Sequence, residues 1–347
     1  MGSQSTISTI DLGQGLHVTP QGFGCMSLSS AYGSADDAES LRTLNHVLDN
    51  GITFLDTANI YGAGHNESLL SEVLKTRRDE VTLATKAGIV RPKNPGDPRA
   101  NGDPAFIKKC VDESLQRLGV EHIDLYYYHR VDSRVPIEDT VGAYKELVEA
   151  GKISHIGLSE VTSNELRRAH AVHPITAIQM EYSIFSRDIE RWLIPTASEL
   201  GVGLVTYASL GRGYFTGQVF AKSELEMTDV RRNFPRFEDS CMENNDRLLD
   251  VIEEVAAREG FSEAQVSLAW VYEQATLQNV AVSPIPGTRY AHHFDDNLES
   301  LNLRLSPESM TQLNELASRV DGERQADIMS VSKGREEVQM SQEGDAQ

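Results

Sequence analysis

The sequence predicts an α/β chain folded as a closed (β/α)8 barrel with an N-terminal β-hairpin. Three observations predict it. Eight short tracts of strand character are each followed by a helical pattern, with starts mostly about 20 to 40 residues apart, the mark of parallel βαβ units. The residues of unusual chemistry fall at the C-terminal ends of those tracts, the face where such barrels place their active sites. The segment Gly22-Phe23-Gly24-Cys25-Met26-Ser27 does not carry the G-x-G-x-x-G turn that a doubly wound dinucleotide fold needs after its first strand.

The elements follow in order. Ile7, Ile10 and Leu12, then Leu16 and Val18, flank Gly13-Gln14-Gly15 and read as a hairpin that plugs the barrel's far end. Strands near residues 22–27, 52–56, 81–86 and 123–129 alternate with helices near 37–49, 66–74, 103–118 and 137–149. The third helix has full punctuation: Asp103 to cap it, Pro104 to open it, Gly119 beyond its end. Its Ile107, Cys110, Val111, Leu115 and Leu118 share one face. Strands near 153–159, 175–182, 203–209 and 280–285 complete the barrel, with helices at 163–171, 189–200, 245–258, 262–274 and 307–320. The loop 211–244 carries Gly211 and Gly213 as hinges and reads as a lid over the cofactor, the alternative being a mobile insertion. Residues 1–320 are expected to form one barrel, and the polar, charged stretch 321–347 a disordered tail.

Alternation along the strands sets Phe54 and Ile52, Ala84 and Thr82, and Tyr127 and Leu125 on the same side as Asp56, Lys86 and His129. Adjacent strands lie about 4.8 Å apart, so these three groups and Tyr61, in the loop after Asp56, converge. A phenol is a weak acid, but a neighbouring ammonium makes it a better proton donor. Asp56 would hold Lys86 charged, and His129 would orient a substrate carbonyl toward Tyr61. Such a set suits protonating the oxygen of a carbonyl that receives a hydride, and the hydride must come from a bound cofactor.

Bulk properties narrow the class. The chain has 347 residues, 39% hydrophobic and 24% charged, with a formal net charge of −20, which leaves no basic stripe for nucleic acid. Three scattered cysteines (Cys25, Cys110, Cys241) argue for a reducing compartment rather than a disulfide framework. No apolar run is long enough to span a bilayer and no signal-peptide pattern opens the chain, so the expected location is the cytoplasm. No metal-ligand spacing is found; His292-His293 reads as surface because adjacent helical residues do not share a face. Arg231-Arg232 reads as solvated surface, and Cys25 as a small buried hydrophobe.

The run Asp56-Thr57-Ala58, then Tyr61-Gly62, then Thr85-Lys86, then His129 after Leu125-Tyr126-Tyr127-Tyr128, resembles the catalytic tetrad of the aldo-keto reductases. The resemblance extends from about residue 15 to residue 320, in the order of all eight strands. It implies NADPH as cofactor, NADH being weaker, a small carbonyl compound as substrate, and Tyr61 as proton donor tuned by Lys86 and Asp56. It further implies nicotinamide contacts at Ser159, Glu160 (where many members carry Asn) and Gln179, with Tyr207 stacked on the ring. Ser209, Leu210, Gly211 and Arg212 match the pyrophosphate contact. Gly287, Thr288, Arg289, His293, Asp296 and Asn297 match the adenosine-phosphate site. Glu181-Tyr182-Ser183-Ile184-Phe185-Ser186-Arg187-Asp188 and Gly157-Leu158-Ser159-Glu160 are similar to the branch that includes pyridoxal reductases and perakine-type ketone reductases. The competing reading is a redox-sensing subunit that holds NADPH and hardly turns over.

Overall fold

A computed structural model describes residues 7–94, 96–217 and 222–344. Gly13, Gln14 and Gly15 have φ of 121°, 52° and 79°, a left-handed run that reverses the chain. It joins the antiparallel strands β1 (Ile10–Asp11) and β2 (His17–Val18). Eight parallel strands follow in sequential order: β3 (Phe23–Gly24), β4 (Phe54–Asp56), β5 (Thr82–Ala87), β6 (Ile123–Tyr128), β7 (Ile153–Ser159), β8 (Ala177–Glu181), β9 (Gly203–Tyr207) and β10 (Val282–Pro284). The Gly22 N–H donates to the Pro284 carbonyl at 2.9 Å, joining the first strand's approach to the last strand. The fold is a (β/α)8 barrel with an N-terminal hairpin.

Helices cover the outside: α1 (Asp37–Asp49), α2 (His65–Arg77), α3 (Pro104–Leu118), α4 (Ile137–Glu149), α5 (Ser163–Val172), α6 (Leu193–Leu200), α7 (Asp239–Glu259), α8 (Glu263–Leu277), α9 (Ala291–Glu299), α10 (Pro307–Asn314) and α11 (Ser332–Gly344). Their starts follow the capping chemistry. Asp36 accepts from the Glu39 N–H at 2.8 Å and Asp103 from the Phe106 N–H at 2.9 Å. Thr162 with Glu165 and Ser262 with Gln265 form capping boxes.

Two apolar clusters result. One lies between strands and helices; it takes Tyr126 and Tyr128, which lean on Tyr144 of α4. The other fills the barrel with Phe54, Ala84, Leu125, Tyr127, Ala177, Val205 and Ile285. Leu12, Leu16 and Val18 of the hairpin close this interior cluster, and the Gly203 N–H donates to the Leu12 carbonyl at 2.6 Å. Ile52 departs from the expected alternation: it precedes β4 and packs in the outer cluster, because the strand begins only at Phe54.

The C-terminal stretch also departs from expectation. Residues 321–344 lie against the barrel; Val331 is buried, and Arg324 is 1% exposed in its side chain. Composition suggested a tail because it is polar, but the charges are matched by acids far back in the chain. Residues 345–347 of that predicted tail lie outside the described set.

The seam between first and last strands leaves no room for side chains. A Cβ on Gly24 would lie 2.6 Å from the Ile285 carbonyl oxygen, and one on Gly287 would collide with the Gly24 carbonyl. Gly287→Ala is therefore expected to destabilise the barrel by about 1–3 kcal/mol, the cost of overpacking against backbone. Urea denaturation measures this, and an unchanged midpoint would contradict the seam geometry.

Candidate active site

Backbone pairing continues past the short strand β4 and sets the site's frame. The Thr57 N–H donates to Ala84 and the Asn59 N–H to Lys86, at 2.9 and 3.1 Å, pinning the Asp56 loop to β5. The His129 N–H donates to the Ala87 carbonyl at 2.7 Å, fixing the end of β6 against the same strand. Gly62, Ala63 and Gly64 then have φ of 56°, 56° and 94°, turning the chain back directly after Tyr61.

These constraints gather Asp56, Tyr61, Lys86 and His129. Lys86 is fully buried; its ammonium donates to Asp56 Oδ1 and, at 2.7 Å, to the Thr57 carbonyl. Asp56 Oδ2 accepts from Gln179 Nε2 at 2.8 Å, so the carboxylate is held from two sides. The Tyr61 ring centroid lies 5.2 Å from Lys86 Nζ, and the His129 ring meets Tyr61 edge-on at 6.0 Å and 82°.

The electrostatics follow. Burial alone would push Lys86 toward the neutral amine, but Asp56 and Tyr61 raise its pKa above the ordinary value, keeping it an ammonium. Burial raises the Tyr61 pKa and outweighs the opposing pull of Lys86, so the phenol keeps its proton through the neutral range. Burial, with Arg130 and Lys86 nearby, drives His129 well below its usual value, leaving a neutral imidazole. Its buried Nδ1 has no partner among the described residues.

The expected cofactor contacts lie along four successive strand ends. Ser159 ends β7, Gln179 lies in β8, and Tyr207 ends β9, with the Ser209–Arg212 turn beyond it; Gly287, Thr288 and Arg289 follow β10. A hydroxyl, an amide, an aromatic ring and a guanidinium in that order fit a nicotinamide dinucleotide laid across the face. Several side chains are engaged otherwise. Arg212 (φ 60°) turns its guanidinium to Glu181 at 2.7 Å, and the Ser209 hydroxyl pairs with Thr206 at 2.9 Å. Leu210 and Gly211 contribute backbone at this turn, where the Phe215 N–H donates to the Leu210 carbonyl. Asp296 turns toward α8, accepting from Ser262 and Gln265, each at 2.9 Å. Asn297 is buried, and its carbonyl accepts from the Ser300 hydroxyl. Thr288 Oγ1 lies 3.4 Å from His293 Nδ1, and burial, with His292 beside it, lowers the His293 pKa. Arg289 reaches the Ser34 carbonyl. Glu160 departs most from the expected carboxamide contact: its carboxylate is directed to the C-terminal segment, through Arg324 at 2.8 Å.

The loop expected to be a lid crosses toward the segment after β3. Glu226 accepts from the Ser34 N–H at 3.1 Å, the Val230 N–H donates to Ala31 at 3.0 Å, and Arg231 stands over Tyr32 at 5.4 Å. Arg231 is also paired with Asp229 at 2.7 Å and 15% exposed, which corrects its reading as solvated surface. Residues 218–221 of that loop lie outside the described set. Burial pushes the Cys25 thiol up, in keeping with a buried hydrophobe. Sequence reasoning missed Arg130, which donates to the His129 carbonyl at 2.6 Å and to Ser159 Oγ at 3.1 Å. Its position beside His129 was the available signal. Arg324 had no local signal at all.

The aldo/keto reductase family profile matches residues 21–318. Among solved structures, aldo-keto reductase AKR11C1 from Bacillus halodurans, in its holo form, is 27% identical, with 92% of this chain and 100% of that one covered and a TM-score of 0.72. The glycerol dehydrogenase AKR11B4 from Gluconobacter oxydans is 26% identical, with 93% and 99% covered and a TM-score of 0.79. Fold and site thus define a barrel oxidoreductase. The chain belongs to the aldo/keto reductase family. No helix among the described residues is long and apolar enough to cross a membrane.

Removing one member of the buried pair leaves the other charge uncompensated. Asp56→Asn is expected to cost about 3–5 kcal/mol of folding stability, since Lys86 then lacks its counter-charge. Chemical denaturation tests this; a loss below about 1 kcal/mol would show that the pair does not organise the site.

Proposed function

We propose that this protein reduces a small aldehyde or ketone to the alcohol with NADPH, Tyr61 supplying the proton. The observation that carries the reading is the stack of Tyr61 over the buried Lys86 ammonium, itself held by Asp56, at the C-terminal mouth of the barrel. A nicotinamide dinucleotide held at these strand ends would supply the hydride for the carbonyl carbon. The Tyr61 hydroxyl gives its proton to the carbonyl oxygen, and Lys86 offsets the negative charge left on the phenolate. His129, neutral, hydrogen-bonds that oxygen and keeps it facing Tyr61. Asp56 has no contact with substrate in this scheme; it keeps Lys86 charged.

Ser159, Gln179 and Tyr207 would hold the nicotinamide, and the Ser209–Arg212 backbone the pyrophosphate. Thr288 and Arg289 favour a 2′-phosphate and hence NADPH over NADH. His293, kept neutral, and Asp296, turned to α8, leave Arg289 as the cation for that phosphate. The Glu181–Asp188 segment supports the branch that includes pyridoxal reductases and perakine-type ketone reductases; it names a subfamily and not a substrate.

The test is cofactor oxidation by purified protein with pyridoxal, aromatic and short aliphatic aldehydes, and cyclic ketones, using NADPH and NADH in parallel. Tyr61→Phe is expected to lower turnover by about 100- to 10,000-fold while cofactor still binds. Undiminished turnover in that variant would sink the assignment. Tight NADPH binding with negligible turnover across the panel would instead support the redox-sensing subunit.

A further inference from the structure

The C-terminal segment reaches the cofactor side of the barrel through one residue, Glu160. This residue follows Ser159 at the end of β7 and has φ of 53°, a left-handed conformation uncommon for a residue with a side chain. Its side chain is fully buried. Oε1 accepts from the Glu181 N–H at 3.1 Å, the Tyr207 hydroxyl at 2.7 Å and Arg324 Nη1 at 3.0 Å. Oε2 accepts from Arg324 Nη2 at 2.8 Å and from the N–H and hydroxyl of Ser332, both at 3.1 Å. The Glu160 carbonyl accepts from Arg335. Three residues of the C-terminal segment therefore converge on a single position of the barrel's active face.

The segment is fastened around that socket. Arg324 also bonds Asp188 at 3.0 Å, in the loop after β8. Arg335 pairs with Glu165 at 2.9 Å, and Glu336 accepts from the Ser163 N–H at 2.7 Å, at the start of α5. A buried carboxylate left alone would take up a proton or move. Here burial raises the Glu160 pKa, but Arg324, with help from Arg130 and Tyr207, overrides it and holds the group well below the ordinary carboxylate range. Tyr207, whose pKa burial and Glu160 push up, keeps its hydroxyl proton and donates it to Glu160.

We propose that Arg324 is a positioning residue for the cofactor: through the Glu160 carboxylate it anchors the hydroxyl of Tyr207, so the C-terminal segment completes the nicotinamide side of the site. This rests on the reading of Tyr207 as the residue against which the nicotinamide packs. It assigns Glu160 a role other than direct contact, since both its oxygens are already taken. Arg324 fixes the carboxylate, the carboxylate fixes the phenol, and the phenol fixes the ring plane. An arginine suits this because its planar fork can meet Glu160 with two donors at once.

The experiment is NADPH binding to the full chain without substrate, read by quenching of Trp192 and Trp270 fluorescence or by calorimetry, with melting temperature recorded for each variant. Arg324→Met, Tyr207→Phe and the double variant are compared with wild type, and Arg324→Lys serves as the conservative control. Loss of a charge-linked hydrogen bond predicts about tenfold weaker NADPH binding in each single variant. The double variant should bind no more weakly than the worse single one, because both break the same chain. Arg324→Lys should recover part of the affinity. Unchanged affinity in Tyr207→Phe overturns the proposal, even if Arg324→Met fails to fold. Additive losses also overturn it, as does an Arg324→Met variant that melts earlier yet binds NADPH as wild type does; the ion pair would then be structural only. If wild type binds neither NADPH nor NADH, the functional reading falls first, and this inference with it.

Discussion

A lysine ammonium buried from solvent requires a counter-charge and a full set of acceptors. The arrangement of the active face follows from meeting that requirement at Lys86. Asp56 supplies the charge, the Thr57 carbonyl a second acceptor, and Gln179 holds the far oxygen of Asp56. These come from β4, the loop after it and β8, across the barrel. The ion pair joins the neighbouring strands β4 and β5, and the Gln179 amide ties both to β8, distant in the sheet. On the proposed mechanism it would also favour proton transfer, because a cation fixed beneath a phenol stabilises the phenolate left behind.

In the proposed proton transfer, burial and Lys86 act on Tyr61 in opposite directions. Burial keeps the phenol protonated at rest, and the nearby ammonium limits the cost of leaving a phenolate after transfer. A tyrosine with no ammonium beside it would have the first property without the second. His129 complements it, because as a neutral imidazole beside two cations it can hydrogen-bond a carbonyl oxygen without competing as the proton source.

Much of this was legible in the chain. The barrel followed from the alternation of strand and helix patterns, and the tetrad from polar residues at the ends of consecutive strands, where a short-range rule fixes which side chains share a face. Tyr127 inside the barrel and Tyr126 and Tyr128 outside follow the period of two. The rule failed at Ile52, which lies before the strand begins. It was silent where partners are remote: Arg324 meets a carboxylate 164 positions earlier. Composition reads such a segment as a solvated tail, because nothing in its own residues reveals that acids of the barrel face await it. Asp296 and Arg212 carry the same lesson. The family resemblance placed both at phosphate contacts, while the direction of each side chain is set by neighbours on other elements.

On the proposed mechanism Tyr61, protonated through the neutral range, delivers the proton. The most direct measurement is the pH dependence of single-turnover NADPH oxidation with whichever carbonyl compound reacts fastest. Proton delivery by Tyr61 predicts a rate that is level through the neutral range and falls only above about pH 10, as the phenol titrates. A rate that already falls with rising pH at or below the neutral range would assign the proton to a histidine and rule out Tyr61 as its source.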